Sequence, residues 1–322
     1  MQMLKGRKIM KKIPIIIDCD PGVDDSYAIA LANSSDMFEI KAITPVVGNV
    51  PAAVTRKNAL CLREMLGIDC RVAFGARLPL EKEYFRTGSV THGDSGVGTV
   101  SFPEPALAED ELRAWDVIYE EAVRRKGELI LFAIGPLTNI ATALRKYPDL
   151  PKYLKKFVIM GGGTFGNVSF SERTAEFNIW VDPTAAREVF RKLPVYMVGL
   201  DATHASALSS RQFDEMIEAC GESEKAYLVR ELSKFSKKNS MENGQDNNII
   251  HDALAVASVL DEDVVTFHDR YVYVEDDLSK VNRGQTVVDF DSESPNCHVG
   301  MEVNQQRFFL ILMEMCKHYA KQ

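Results

Sequence analysis

Four aspartates, Asp18, Asp20, Asp24 and Asp25, crowd into the stretch Ile-Ile-Ile-Asp-Cys-Asp-Pro-Gly-Val-Asp-Asp from Ile15 to Asp25. Helix capping and turn chemistry would need one or two of them. Four brought together repel one another unless a cation neutralises the charge. Dense carboxylate oxygens are hard ligands and suit Ca2+ or Mg2+, not zinc. The spacing is not that of an EF-hand loop, which alternates its ligands and closes on a glutamate. Further along, His251-Asp252 stands at the head of an apolar helical run, and His92 precedes Gly93 in a glycine-rich loop. A histidine near its ordinary pKa can exchange a proton with a reacting group. Asn49, after Gly48, stands where a strand's carboxyl end can meet a sugar.

Such residues need a scaffold that delivers them to one place. The chain repeats apolar strand, loop and amphipathic helix. Strands are expected at Ile13–Asp18, Phe38–Val47, Glu128–Ile134, Phe157–Met160 and Val195–Val198. Helices are expected over Asp24–Ala32, Ala52–Leu66, Pro136–Lys146, Pro183–Arg191 and Ile250–Leu260. Pro136 suits a first helical turn. Beyond Ser209 the chain reads as helical and polar, with a polar stretch from Ser236 to Asn248. Short strands near Val264, Tyr271, Thr286 and Val299 and a last helix from Gln305 close it. Strands this apolar, alternating with helices, predict a mostly parallel sheet covered on both faces. In such sheets ligands bind beyond the carboxyl ends of the strands, where the aspartates lie.

Composition sets the outer limits. The 322 residues are 46% hydrophobic and 26% charged, enough for a large core. With no repeat and no Pro- or Ser-rich linker, one domain over residues 13–322 is expected, with 1–12 as a basic tail. A net charge of −8 argues against nucleic acid and anionic lipid as partners. No apolar run reaches the ~20 residues of a membrane span. Six scattered cysteines without a C-x-x-C predict reduced thiols in a cytoplasmic protein, neither a disulfide framework nor a zinc site.

A strand ending in D-x-D-P-G-x-D-D near the N-terminus resembles the inosine-uridine-preferring nucleoside hydrolases. The resemblance continues through Val47-Gly48-Asn49, Thr91-His92-Gly93 and Gly135-Pro136-Leu137-Thr138-Asn139. It goes on through Met160-Gly161-Gly162-Gly163, Gly166-Asn167, Ala175-Glu176-Phe177-Asn178 and Val181-Asp182-Pro183, then Leu200-Asp201-Ala202-Thr203-His204 and His251-Asp252-Ala253-Leu254-Ala255. These blocks keep the family's order over most of residues 13–260. What the resemblance implies is a Rossmann-like α/β nucleoside hydrolase fold and hydrolysis of the N-glycosidic bond of ribonucleosides. It implies Ca2+ held by Asp20, Asp25, Asp252 and the Thr138 carbonyl. Asp20 would take a proton from the attacking water, and His251 would be the leaving-group acid. Asp24, Asn49, Asn167, Glu176 and Asn178 would hold ribose hydroxyls, with Met160 and Phe177 beside the sugar and His92 near the base. Asp18 would organise the cluster from behind. Relatives of this kind assemble as homodimers or homotetramers.

The chemistry is coherent, because an oxocarbenium-like state is stabilised by carboxylates and a departing base gains negative charge. Lys237–Asn248 is polar, with Tyr227 and Phe235 just upstream, so the preferred base stays open. A haloacid-dehalogenase-like phosphatase also ends a strand in D-x-D, but usually places Thr or Val where this chain has Gly22. A catalytically silent nucleoside binder of the same fold is the other rival. Gly161–Gly166 formally spells G-x-G-x-x-G, yet it leads into a polar loop, not a helix. His204, His268, His298 and His318 read as packing or surface residues.

Overall fold

The computed structural model describes residues 11–81, 92–93, 95–164 and 175–322. Strands β1 (Ile13–Cys19), β2 (Phe38–Pro45), β3 (Arg71–Val72), β4 (Leu129–Ala133), β5 (Leu154–Met160) and β6 (Val195–Val198) pair in parallel. The long β9 (Val265–Val274) joins antiparallel to β10 (Thr286–Asp289) and β11 (Cys297–Val303). The nine-stranded sheet runs β10-β9-β11-β6-β5-β4-β1-β2-β3. A separate antiparallel pair joins β7 (Leu208–Ser209) to β8 (Asn247–Asn248). Lys11, just before β1, pairs with Glu128, and residues 1–10 lie outside the described chain.

Alternation along the strands sorts side chains into two cores. Ile15, Ile17, Phe132, Val158 and Val198 face one way. They meet helices α1 (Val23–Ser34), α2 (Ala52–Met65), α7 (Leu200–Ala205), α8 (Ser210–Cys220), α9 (Tyr227–Glu242), α10 (His251–Leu260) and α11 (Gln305–Ala320). Ile16, Leu131, Phe157, Ile159 and Met197 face the other way, onto α3 (Ala114–Arg125), α4 (Thr138–Lys146) and α6 (Pro183–Lys192). The short α5 (Phe177–Val181) precedes α6. Burial on both faces explains why these strands are nearly continuous runs of Ile, Leu and Val.

Two expectations shift. The polar stretch from Ser236 falls largely inside α9, which runs on to Glu242. Its Ser233, Ser236 and Ser240 are buried, and each turns a side-chain or carbonyl bond inward. The strands expected near Val264 and Tyr271 are one strand, β9. Chain order reverses at β1, since β2 lies on one side of it and β4 on the other. Asp18 and Asp20 therefore sit at the topological switch point, where an open α/β sheet forms its crevice.

Candidate active site

Asp18 ends the buried run of β1, in register with Thr44 on β2 and Ala133 on β4. Its Oδ2 accepts from the Thr44 hydroxyl (2.6 Å) and from Asn139 Nδ2 (2.8 Å). Asn139 also accepts the Ala76 N–H through Oδ1. These three residues brace the cluster from below. Burial pushes the Asp18 carboxyl up to about 7 despite both hydrogen bonds. Asp20 follows, fully buried. Its Oδ2 accepts the Asn49 N–H at 2.6 Å, and its Oδ1, like Asp18 Oδ1, has no hydrogen-bond partner among the described residues. Two glycines make room for it: a Cβ on Gly48 would lie 2.0 Å from Asp20 Oδ2, and one on Gly135 2.6 Å from Oδ1.

Asp25, in the first turn of α1, reaches back over the turn. It accepts from the Asp20 N–H (3.0 Å), the Gly22 N–H (2.9 Å) and Asn49 Nδ2 (3.2 Å). Negative charge at a helix N-terminus is favoured. Asp24 is half-buried and accepts the backbone N–H of His251. Asp252 arrives from α10, which packs directly on α1, and is 4% exposed.

Burial, then mutual repulsion, raises the whole group. Asp20 is pushed well above the carboxylate range by desolvation, then by Asp25 and Glu176. Asp252 is raised likewise by burial, then by Asp25, Asp24, Asp20 and Glu176. Asp24 rises to about 7 through burial and Asp25, and Asp25 to about 6 through burial. No lysine or arginine is among the causes of these shifts. Among the described residues, a buried carboxylate oxygen without a donor, beside carboxylates that no lysine or arginine neutralises, fits a hard cation. Among the described residues, no group of three or more His, Cys, Asp or Glu side chains is arranged to hold a metal ion. Both Asp25 oxygens are turned to donors of the backbone and of Asn49. Each oxygen still has a second lone pair.

Thr138 opens α4. Its hydroxyl donates to Asp182 (2.7 Å), and its carbonyl accepts the Thr142 hydroxyl (2.8 Å). Glu176 caps α5: its carboxylate accepts from Asn178 N (2.8 Å), Ile179 N (3.1 Å) and Gly162 N (3.1 Å). Burial raises it to about 7. Asn178 donates to the carbonyls of Ile134 (3.0 Å) and Met160 (3.1 Å), tying together the ends of β4 and β5. Met160 is buried at the end of β5, and Phe177 packs with Ala175, Trp180 and Val181. Asn49 braces Asp20 and Asp25, so its donors already serve the cluster. Asn167 lies outside the described residues.

His92 accepts the Val23 N–H at Nδ1 (3.3 Å), and burial pushes it down to about 4. His251 Nδ1 lies 2.9 Å from the Thr203 hydroxyl. Burial first, then His204 and His92, push it down to about 3, so the resting ring is neutral. His204 is exposed, its ring centroid 6.1 Å from that of His251. His268 and His298 pair with Glu302 and Asp269 on the surface, as expected. The sequence reading passed over Thr44, Asn139, Asp182 and Thr203. Three of them stood inside the quoted blocks, but only cross-strand register and helix packing reveal what they touch.

All six cysteines are free thiols, and no helix among the described residues is long and apolar enough to cross a membrane. The family model described as inosine-uridine preferring nucleoside hydrolase matches residues 15–310. The pyrimidine-specific ribonucleoside hydrolase RihA of Escherichia coli is 35% identical over 96% of this chain and 99% of its own. That of Salmonella typhimurium matches to the same extent. Among solved structures, a purine-preferring ribonucleoside hydrolase from Gardnerella vaginalis superposes with a TM-score of 0.84 at 29% identity, over 96% of this chain and 99% of that one. A plant nucleoside hydrolase reaches 0.85 at 26% identity, over 95% and 99%. Aspartates at the switch point of a single α/β domain and a match along nearly its whole length lead to one conclusion: the chain belongs to the inosine-uridine preferring nucleoside hydrolase family and is a nucleoside N-glycosidase.

Proposed function

We propose that the protein hydrolyses ribonucleosides to free base and ribose in a calcium-dependent reaction. The observation that carries this reading is the buried Asp20 carboxylate, with Oδ1 unpartnered among Asp24, Asp25, Asp252 and Glu176. Asp20, Asp25, Asp252 and the Thr138 carbonyl would hold the ion. When bound, calcium would neutralise the carboxylates, hold the ribose diol and make a water more acidic. Asp20 is the base that takes the water's proton: its Oδ1 has no donor among the described residues, and Asp18, whose Oδ1 is likewise unpartnered, is braced behind it by Thr44 and Asn139. Asp24, Asn49, Asn167, Glu176 and Asn178 hold ribose hydroxyls, with Met160 and Phe177 beside the sugar. The raised carboxylates surround the place where the sugar becomes cationic, which favours an oxocarbenium-like state.

His92 and His251 stand on the base side. The neutral resting ring of His251 takes a proton from solvent in the substrate complex and passes it to the departing base as negative charge develops there. A small polar substrate suits the acidic surface better than nucleic acid or lipid does. The working form is a cytoplasmic homodimer or homotetramer, consistent with six unbridged cysteines.

The test measures ribose release from uridine, cytidine and inosine, before and after chelation, beside the 2′-deoxy analogues. The panel spans both bases because the RihA relatives are pyrimidine-specific and the Gardnerella vaginalis structure purine-preferring by name. A site built around a diol rejects the analogue lacking one hydroxyl by up to ~10⁴-fold. A ribo-to-deoxy ratio of kcat/KM under about tenfold, or full activity after calcium removal, would overturn the reading.

A further inference from the structure

We propose that Thr203 is a positioning residue: its hydroxyl holds Nδ1 of His251, so that Nε2 is the ring nitrogen reserved for the nucleoside base. The proposal rests on the role given to His251 above and assigns its orientation to a second helix.

Thr203 lies in α7 and is fully buried. Its Oγ1 is 2.9 Å from His251 Nδ1 and 3.2 Å from the Leu200 carbonyl. A hydroxyl has one proton, and a carbonyl can only accept. Both hydrogen bonds are satisfied together only if His251 donates Nδ1–H to Thr203 and Thr203 donates its proton to Leu200. The neutral ring then carries its free lone pair on Nε2, which has no hydrogen-bond partner among the described residues. The same tautomer remains after an Nε2–H has passed to the base. In the substrate complex Nε2 takes a proton from solvent; as the C1′–N bond breaks with its electron pair on the base, that proton passes to the base, while Nδ1–H and the threonine proton stay in place.

The anchor is independent of the helix that carries His251. The N–H of Leu200 bonds the Gly162 carbonyl (2.8 Å) and that of Thr203 bonds Gly199 (3.0 Å), so α7 is tied to the turn after β5. The backbone N–H of His251 is held separately, by Asp24. His204, the next residue and the more conspicuous one in the sequence, is exposed and makes no hydrogen bond to the His251 ring. A partner that fixes a histidine's second nitrogen typically changes function ~10–100-fold when removed.

The experiment compares the wild type with Thr203→Val, Thr203→Ser and His251→Ala. Each is assayed on uridine or inosine and on p-nitrophenyl riboside, whose leaving group needs no proton. Thr203→Val is expected to lose ~10–100-fold in kcat/KM on the natural nucleosides and under about threefold on the activated one. Thr203→Ser should recover most of the loss. Histidine nitrogen NMR should show an Nδ1–H tautomer for His251 in the wild type and serine variants, and a mixture in the valine variant. Equal losses on both substrates, or an unchanged tautomer in Thr203→Val, would overturn the proposal. If valine does not fold, Thr203→Ala repeats the comparison without a second branch in the core. Equal losses in His251→Ala would overturn the leaving-group role of His251, and with it the catalytic use of the anchor. The spectra would still read whether Thr203 holds Nδ1.

Discussion

At the scale of single residues, the site is a problem in satisfying carboxylates. Asp25 is answered on both oxygens by the backbone and Asn49 and Asp18 at Oδ2 by Thr44 and Asn139, while the Oδ1 atoms of Asp18 and Asp20 are buried without a donor among the described residues. Asp20, which lies against Gly48 and Gly135 beyond the end of β1, is the one proposed to react. Asp20→Asn is expected to fold normally and to lose ~10²-fold or more in kcat, because an amide cannot take the water's proton. Retention of more than about a tenth of the rate would exclude the base role. Asp252→Asn would remove one of the proposed calcium ligands and lower the repulsion with Asp20 and Asp25. It should raise the melting temperature of the chelated protein yet lower its calcium content, measured by elemental analysis after dialysis. Stoichiometric calcium in that variant would sink the ligand assignment.

At the scale of elements, the loops after β2 and β4 matter for what they lack. Gly48 follows β2 and Gly135 follows β4, and each backbone runs against the Asp20 carboxylate. Neither has a positive φ, so an alanine is not barred by backbone strain. The clash is with Asp20 itself: an added methyl would push the carboxylate off its Asn49 hydrogen bond. Gly48→Ala and Gly135→Ala are therefore expected to cost at least ~10-fold in kcat/KM, since small misplacements of a reacting group are expensive. Their melting temperatures should change little. Gly67, whose positive φ opens onto empty space, serves as the contrast: there an alanine should lower stability and spare the kinetics. Wild-type kinetics in both Gly48→Ala and Gly135→Ala would contradict the close packing described here.

At the scale of the molecule, raised carboxyls link the site to stability. Asp18, Asp24 and Glu176 are raised to about 7 and Asp25 to about 6, each chiefly by burial. In the unfolded chain they titrate near ~4. Between those values the folded state binds more protons than the unfolded one, so stability falls as pH rises. Melts in EDTA are expected to shift downward from pH 5 to pH 8. Added calcium should flatten that slope, since it stabilises the charged forms. A chelated protein that becomes more stable over this range would show that the carboxylates are not held as the structure has them.

The fold class, the strands β1, β2, β4, β5 and β6 and the aspartate cluster were legible in the amino-acid sequence, because they rest on local facts, whereas the order of the strands in the sheet was not. Buried strands are runs such as Ile13–Ile17, and helices such as Pro183–Lys192 carry their own caps and periodicity. The reach of each side chain was not legible. Glu176 serves as a helix cap and Asn49 as a brace, because the nearest unsatisfied donors and acceptors happen to be there. The partnership of Thr203 with His251 joins residues 48 positions apart through the packing of two helices. Hydrogen-bond partners are decided by distances of a few ångströms between elements remote in the chain, and only the tertiary structure sets those distances.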